Sequence, residues 1–322
     1  MKNMRYIVTG ADGKLAGRVA ENMLKEVGGE NLTFTVWNMN FVPDEKLKRW
    51  KDAGVQVFEA NYDDTEALNK AFKGGDRIYI ISGLQVGKRV QQHKNAIDAA
   101  INQGVSHITY SSGYGATDPK YAHLDVTPDH TATELYLQET GHPYTTVRNS
   151  LYIENYLTMY PMLAMMADDV WASTAMEGKG ALIAKDDAAA AATASLLGKG
   201  EDYRGYNIYG GESISVRELC ELVNEVSGMN LIYDPVDEES YYQYLEKLHV
   251  PRHITGDFSK SPVPFSGDDI VTNDAAIRDG LLDVISPDFE LLTGKKQKTA
   301  RDIIHESSYV WEERITNWSG MR

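Results

Sequence analysis

The chain is nearly free of cysteine. Cys220 is the only one in 322 residues, so no internal disulfide framework can form and a reducing compartment is the expected setting. Positive charge is scarce as well. Lys and Arg number 32 against 47 Asp and Glu, a formal net charge of -15, which argues against a surface built to neutralise nucleic-acid phosphates. No apolar run approaches the length of a membrane span, and no basic-then-apolar leader precedes Arg5, so the expectation is a cytoplasmic protein without nucleic acid or membrane as partner. The eight His show no metal-ligand spacing, Cys220 has no second thiol, and no Gly-x-Ser-x-Gly elbow occurs. Neither a metal site nor a serine nucleophile is expected.

What the chain has instead begins at Tyr6-Ile7-Val8-Thr9, which runs into Gly10-Ala11-Asp12-Gly13-Lys14-Leu15-Ala16-Gly17 and then an amphipathic helix. Gly10 allows a sharp turn, and Gly13 removes the Cβ that would hold a phosphate away from backbone N–H groups. A strand, a glycine turn and a helix start together place a diphosphate on a helix amino terminus. Gly10, Asp12, Gly13, Lys14 and Leu15 are therefore candidate cofactor-binding residues. Leu15, Val19, Met23 and Val27 supply the buried stripe of that helix.

Further on, strands expected at 32–37, 54–60, 77–81, 107–111, 144–148 and 206–209 alternate with helices expected at 64–72, 90–103, 131–140 and 188–197. Alternation with near-continuous apolar strands means an α/β fold: a doubly wound parallel sheet of the Rossmann type, with ligands at the carboxyl ends of its strands. The expected organisation is a dinucleotide-binding domain over 1–155, with 180–210 returning to the sheet. A smaller mixed α/β region of 156–179 and 211–322 would close over the crevice as the substrate-binding part. Within it Ser215 and Glu218 have the spacing of a capping box opening a helix.

Several landmarks in order resemble the NmrA-like, atypical short-chain dehydrogenase/reductase family, in particular its bacterial NAD(P)H:quinone oxidoreductases. They are Thr9-Gly10-Ala11-Asp12-Gly13, Asn61-Tyr62-Asp63-Asp64, Ile81-Ser82-Gly83-Leu84-Gln85-Val86-Gly87, Gln92-His93-Lys94-Asn95, Tyr110-Ser111-Ser112, Arg148-Asn149-Ser150-Leu151-Tyr152-Ile153-Glu154-Asn155-Tyr156 and Leu292-Thr293-Gly294-Lys295. The tail from Tyr309 to Arg322 extends past that pattern. The resemblance implies a nicotinamide cofactor, with Asn61 and Tyr62 near the adenine, Ser82, Gly83 and Leu84 near its middle, and Ser111, Asn149 and Tyr152 near the nicotinamide. Residues 61–64 could equally cap the next helix.

Two departures from the family stand out. Relatives that prefer the 2′-phosphorylated cofactor carry an Arg just after the second strand, where this chain has Trp37 followed by Asn38. Asn38 could serve a free ribose hydroxyl, so the reading favours NAD(H) slightly over NADP(H); Lys46, Lys48 or Arg49 could reach back, but solvated charges on the face of the following helix are the favoured reading for them. The Tyr-x-x-x-Lys pair that makes a proton donor in most short-chain dehydrogenases is also missing, and Leu135 stands where several relatives place a Lys. Tyr114 is the first candidate donor, with Ser112 and His130 nearby. His130 lies one turn before Glu134, so an imidazolium held by that carboxylate is the alternative to a plain surface pair.

The expected function is an NAD(P)H-dependent reductase of quinones or related conjugated, aromatic carbonyl compounds. The alternatives are a non-catalytic NAD(P) sensor and a redox-neutral enzyme that retains its cofactor. Tyr156, Met159, Tyr160, Met162, Met165, Met166 and Trp171 either line an aromatic-substrate pocket or pack one helix into the core. The expected partners are a small aromatic molecule and a second copy of the chain.

Overall fold

A computed structural model describes residues 4–255 and 257–321. Seven parallel strands form its central sheet. The elements run β1 (Tyr6–Val8), α1 (Lys14–Glu26), β2 (Leu32–Val36), α2 (Asp44–Asp52), β3 (Gln56–Glu59), α3 (Thr65–Phe72), β4 (Arg77–Ile80), α4 (Arg89–Asn102), β5 (His107–Gly113), α5 (Thr127–Thr140) and β6 (Tyr144–Asn149). After α6 (Ile153–Met166), β7 (Val170–Ser173) and β8 (Lys179–Gly180), the chain returns through α7 (Lys185–Leu196) to β9 (Arg204–Ile208). The strand order is β3-β2-β1-β4-β5-β6-β9. This is the doubly wound sheet that the alternation predicts, and its order reverses between β1 and β4, where the crevice for a ligand opens.

Burial follows position in the sheet. Every residue of β1 and β2 is buried, because helices cover both faces, whereas the edge strand β3 is half exposed. Small residues let α1 lie close: a Cβ on Gly17 would stand 3.2 Å from the Ala11 carbonyl oxygen. Helix α5 begins at Thr127, one turn earlier than its sequence pattern suggests, with Pro128 in its first turn. Proline fits there because its missing N–H is one that a helix start leaves unpaired anyway.

The remaining elements are β10 (Ile214–Ser215), α8 (Val216–Ser227), β11 (Ile232–Pro235), α9 (Glu238–Lys247), α10 (Gly267–Arg278), α11 (Asp288–Thr293), α12 (Ala300–Ile303) and α13 (Tyr309–Glu312). Ser215 and Glu218 form the reciprocal capping box at the start of α8. Strand β11 pairs in parallel with β7, and β10 pairs antiparallel with β8. These small sheets share an apolar core with α6, α8, α9 and α10, and Tyr114, Tyr121 and Leu124 enter that core from the end of β5. At its centre the buried Asp274 carboxylate accepts hydrogen bonds from Tyr156 (2.8 Å), Tyr160 (3.1 Å) and Ser173 (2.6 Å). No helix among the described residues is long and apolar enough to cross a membrane.

Candidate functional site

The crevice starts from the glycine turn. Thr9 N–H donates to the Tyr79 carbonyl of β4 (3.0 Å), and Ala11 N–H donates to the Thr35 carbonyl of β2 (2.8 Å), so the turn is tied to both neighbouring strands. Gly10 has φ +63°, and a Cβ there would sit 2.7 Å from Ile81 Cγ2. Only glycine fits. Gly13 caps α1 without any side-chain hydrogen bond, and no acidic residue occupies the first turn. The first amides of α1 and the positive end of its dipole are thus left available to an anion.

Three cations gather beside this terminus. Arg18 pairs with Asp186 at 2.8 Å, and Lys185 Nζ bonds to Asn155 Oδ1 at 3.0 Å. Burial, then the neighbouring charges of Lys185 and Arg18, push Lys14 down to about 8. Burial lowers Lys185 to about 8 as well, against the attraction of Glu154. The carboxy-terminal tail reaches here too: Lys14 Nζ donates to the Met321 carbonyl at 3.1 Å and stands over the Trp318 ring.

At the end of β2, Asp12 accepts from Trp37 N–H at 3.3 Å, and burial raises its carboxyl above the usual range. Trp37 and Phe41 stack on each other, both largely exposed, with centroids 5.6 Å apart. Asn38 caps Asn40 N–H. Lys46 departs from the sequence expectation. It reaches back, half-buried, to 3.4 Å from the Ala11 carbonyl and 4.8 Å from the Trp50 ring, whereas Lys48 and Arg49 pair with Asp52 and Glu21. Lys46 lies one turn before Trp50 on the same face of α2, and the buried Trp50 ring marks that face as the inward one.

Asn61 accepts from the amides of Asp63 and Asp64, and Asp64 caps α3, so this stretch does organise the next helix. The Tyr62 hydroxyl is buried between Thr9 Oγ1 (2.6 Å) and the Ile81 carbonyl (2.8 Å), where it fastens β1 to β4. Ser82 and Gly83 follow β4 at the reversal point, and Gly83 N–H donates to His93 Nε2 at 2.8 Å. Leu84 is exposed beyond them. Asn149 Nδ2 lies 3.4 Å from Ser111 Oγ and 3.3 Å from the Tyr152 hydroxyl, while Asn149 Oδ1 is buried without a partner among the described residues.

The candidate proton donors are placed differently from the sequence reading. His130 is not an imidazolium held by Glu134. Its Nδ1 faces the Tyr110 hydroxyl at 3.0 Å, and burial with Arg89 and His93 nearby drives it well below the usual range, into the neutral form. Glu134 is taken by Arg148, with Nε at 2.9 Å and Nη2 at 2.5 Å. A guanidinium offers that buried carboxylate a fixed fork of donors, which an imidazole cannot match. Ser112 donates its hydroxyl proton to the same carboxylate at 2.6 Å, so it serves this buried pair. Tyr114 is buried and donates to Asn273 Oδ1 at 2.7 Å. Leu135 points outward, largely exposed.

A small chamber of about 30 Å³ is lined by Leu151, Asn155, Tyr156, Met159, Tyr160, Phe265, Asp269, Ile270 and Asn273. It has room for no more than a few waters as it stands. The aromatic and methionine stretch of α6 and β7 therefore divides. Tyr156, Met159 and Tyr160 border the chamber, Met162 and Trp171 are core, and Met166 is exposed at the helix end. Asp269 and Asn273, contributed by α10, carry no motif that a sequence reading could find.

A doubly wound parallel sheet with a glycine turn at its reversal point defines the class as an α/β nucleotide-binding fold. Residues 2–270 match the NmrA-like family, and the chain belongs to it. Among curated relatives, quinone oxidoreductase 2 of Escherichia coli (strain K12) is 31% identical over 257 residues, which is 80% of this chain and 86% of that protein. The crystal structure of an NADPH-dependent quinone oxidoreductase from Escherichia coli complexed with NADPH superposes with a TM-score of 0.80 at 27% identity, covering 94% of this chain and 99% of that one. Triphenylmethane reductase of Citrobacter sp. complexed with NADP(H) gives a TM-score of 0.78 at 25% identity, covering 94% of this chain and 100% of the other.

Proposed function

We propose that this chain is an NADP(H)-dependent reductase of flat, conjugated acceptors of the quinone type. The observation that carries the reading is the uncapped terminus of α1 at the reversal point, flanked by Lys14, Arg18 and Lys185. Those residues suit a dinucleotide diphosphate: free amides, a dipole and cations meet where no side chain caps the helix and no acidic residue lies in its first turn. The unpartnered Asn149 Oδ1 is an acceptor suited to a carboxamide such as that of nicotinamide.

Preference for the 2′-phosphorylated cofactor replaces the expectation drawn from Trp37 and Asn38. Lys46 supplies, from α2, the positive charge that relatives place after the second strand, and it partly offsets Asp12, whose carboxylate is its electrostatic neighbour. Both solved relatives named above hold NADPH or NADP(H). The exposed Trp37 and Phe41 stack offers a flat surface for adenine.

A bound reduced nicotinamide supplies a hydride. The chain's own part is to orient the diphosphate with the α1 amides and Lys14, and to hold the acceptor at the chamber bordered by Tyr156 and Phe265. Met159 lets that pocket adapt to acceptors of different outline. A chamber ending in polar groups supports catalysis over a purely regulatory role. The test is oxidation of NADPH with a panel of benzoquinones, naphthoquinones and enones. Turnover that is faster with NADPH than with NADH supports the reading; tight cofactor binding without oxidation by any acceptor favours the sensor.

A further inference from the structure

Tyr114, closed off as a donor by its own hydrogen bond, leads to another group. Its hydroxyl donates to Asn273 Oδ1 at 2.7 Å, and Asn273 turns its Nδ2 onto Asp269 Oδ1 at 3.1 Å. The amide oxygen faces the phenol and the amide nitrogen faces Asp269 Oδ1, an arrangement that holds whether or not the other carboxyl oxygen, Oδ2, carries a proton. The chain Tyr114, Asn273, Asp269 thus runs from the end of β5 across to α10. It ends on a carboxyl group in the wall of the chamber that also exposes Tyr156, Met159 and Phe265.

The other candidate donors near β5 are accounted for: Ser112 by Glu134 and His130 by Tyr110. We propose that Asp269 is the acid of this site, delivering the proton that the acceptor's oxygen takes up during reduction. This rests on the reductase reading above. The acceptor gains a hydride and its two electrons from the reduced nicotinamide, and the displaced π pair of the conjugated carbonyl settles on oxygen. That oxygen forms an O–H bond as the Asp269 O–H bond breaks. The carboxylate left behind keeps the hydrogen bond from Asn273 and regains a proton from solvent after product leaves. Asn273 and Tyr114 are positioning residues.

The surroundings suit an acid that works near neutrality. Burial, then the negative charge of Asp125, raises the Asp269 carboxyl to about 6, and Arg89 on α4 opposes this only partly. The Arg89 guanidinium is already committed to Asp129 Oδ2 (2.8 Å) and the Val126 carbonyl (2.7 Å). The adjacent Asp268 faces Tyr242 and His253 instead. From β5, Tyr114 presents only a neutral phenol, its own ionisation pushed far up by burial and by Asp269.

The experiment uses purified full-length protein and its Asp269→Asn and Asp269→Glu variants. Three measurements are made: kcat against pH with NADPH and a naphthoquinone, NADPH affinity, and infrared titration of the cofactor-free protein. In the wild type kcat falls as pH rises through about 6, because the proton is then already lost. Asp269→Asn lowers kcat about a hundredfold, removes that limb, and leaves NADPH affinity within about twofold. Asp269→Glu restores part of kcat with a displaced limb. Asp269 and Asp274 each give a carboxylic C=O band that titrates near this pH in the wild type; the Asp269 band is lost in Asp269→Asn, and the Asp274 band remains. With an active wild type, an Asp269→Asn variant that keeps both kcat and the limb overturns the proposal alone, as does a variant in which both infrared bands remain. A wild type that oxidises no NADPH with any acceptor overturns the reductase reading and this proposal together.

Discussion

The ammonium of Lys14 stands 4.3 Å from the centroid of the Trp318 ring, which joins the first residue of α1 to a tail more than three hundred residues further along the chain. The Met321 carbonyl holds the same ammonium, and Trp318 meets Phe265, a chamber residue, edge to face at 5.2 Å. The tail therefore borders the start of α1 and the chamber at once.

Burial and neighbouring cations lower Lys14 and Lys185 to about 8. An arriving diphosphate reverses the electrostatic part of that shift, so the bound state holds more protons than the free protein near pH 8. Proton uptake on NADPH binding is the expected outcome, measured as a binding enthalpy that depends on the ionisation heat of the buffer. The dependence is large near pH 8 and fades towards pH 6.5, about one and a half units lower, where both lysines are already charged. Lys14→Met reduces it.

Lys46 is the one cation of α2 that turns back to the glycine turn. Lys46→Ala lowers affinity for NADPH by about tenfold, roughly 1.4 kcal/mol, and leaves affinity for NADH within about twofold. Fluorescence titration with the two reduced cofactors checks the ratio. Equal losses for both would assign Lys46 to the turn itself and not to the 2′-phosphate.

Asp274 sits at the centre of the carboxy-terminal core, and burial raises its carboxyl from 3.8 to about 6 despite the hydroxyls of Ser173, Tyr156, Tyr160 and Tyr241. Because the folded-state value lies above the unfolded one, the protonated folded form is favoured at low pH. Its contribution to stability is fully present below about pH 4 and is lost as pH rises through about 6. Urea unfolding of the wild type and Asp274→Asn over that window shows the wild-type advantage shrinking with rising pH, by at most about 3 kcal/mol.

Local chemistry made the first half of the molecule legible. Gly10 marks a turn that no other residue type fits, and the strands that alternate with helices, such as Leu32–Val36 with its threonines buried along with Leu, Phe and Val, belong to a parallel sheet covered on both faces. The capping box at Ser215 is equally local. What stayed hidden depends on pairs far apart in sequence. Glu134 looks like a partner for His130 one turn away, yet Arg148 on the next strand outcompetes it. Tyr114 finds Asn273 across 159 positions, and Asp269 reaches the chamber only because α10 packs there. The pairing of β7 with β11 likewise joins segments that give no periodic signal of their own.

The central claim is that the amides opening α1 grip a dinucleotide diphosphate, and calorimetric titration of the wild type and Gly13→Asp with NADPH tests it most directly. Gly13 has φ -76°, which an L-residue tolerates, and an Asp there caps the helix and complements its dipole. The added Cβ stands 3.2 Å from the Gly10 carbonyl, so net stability stays within about 1 kcal/mol of the wild type. The account predicts saturable binding to the wild type and none detectable to the equally folded variant, whose new carboxylate occupies the anion site. Equal binding to both proteins, or no heat from a wild type free of retained nucleotide, would contradict it.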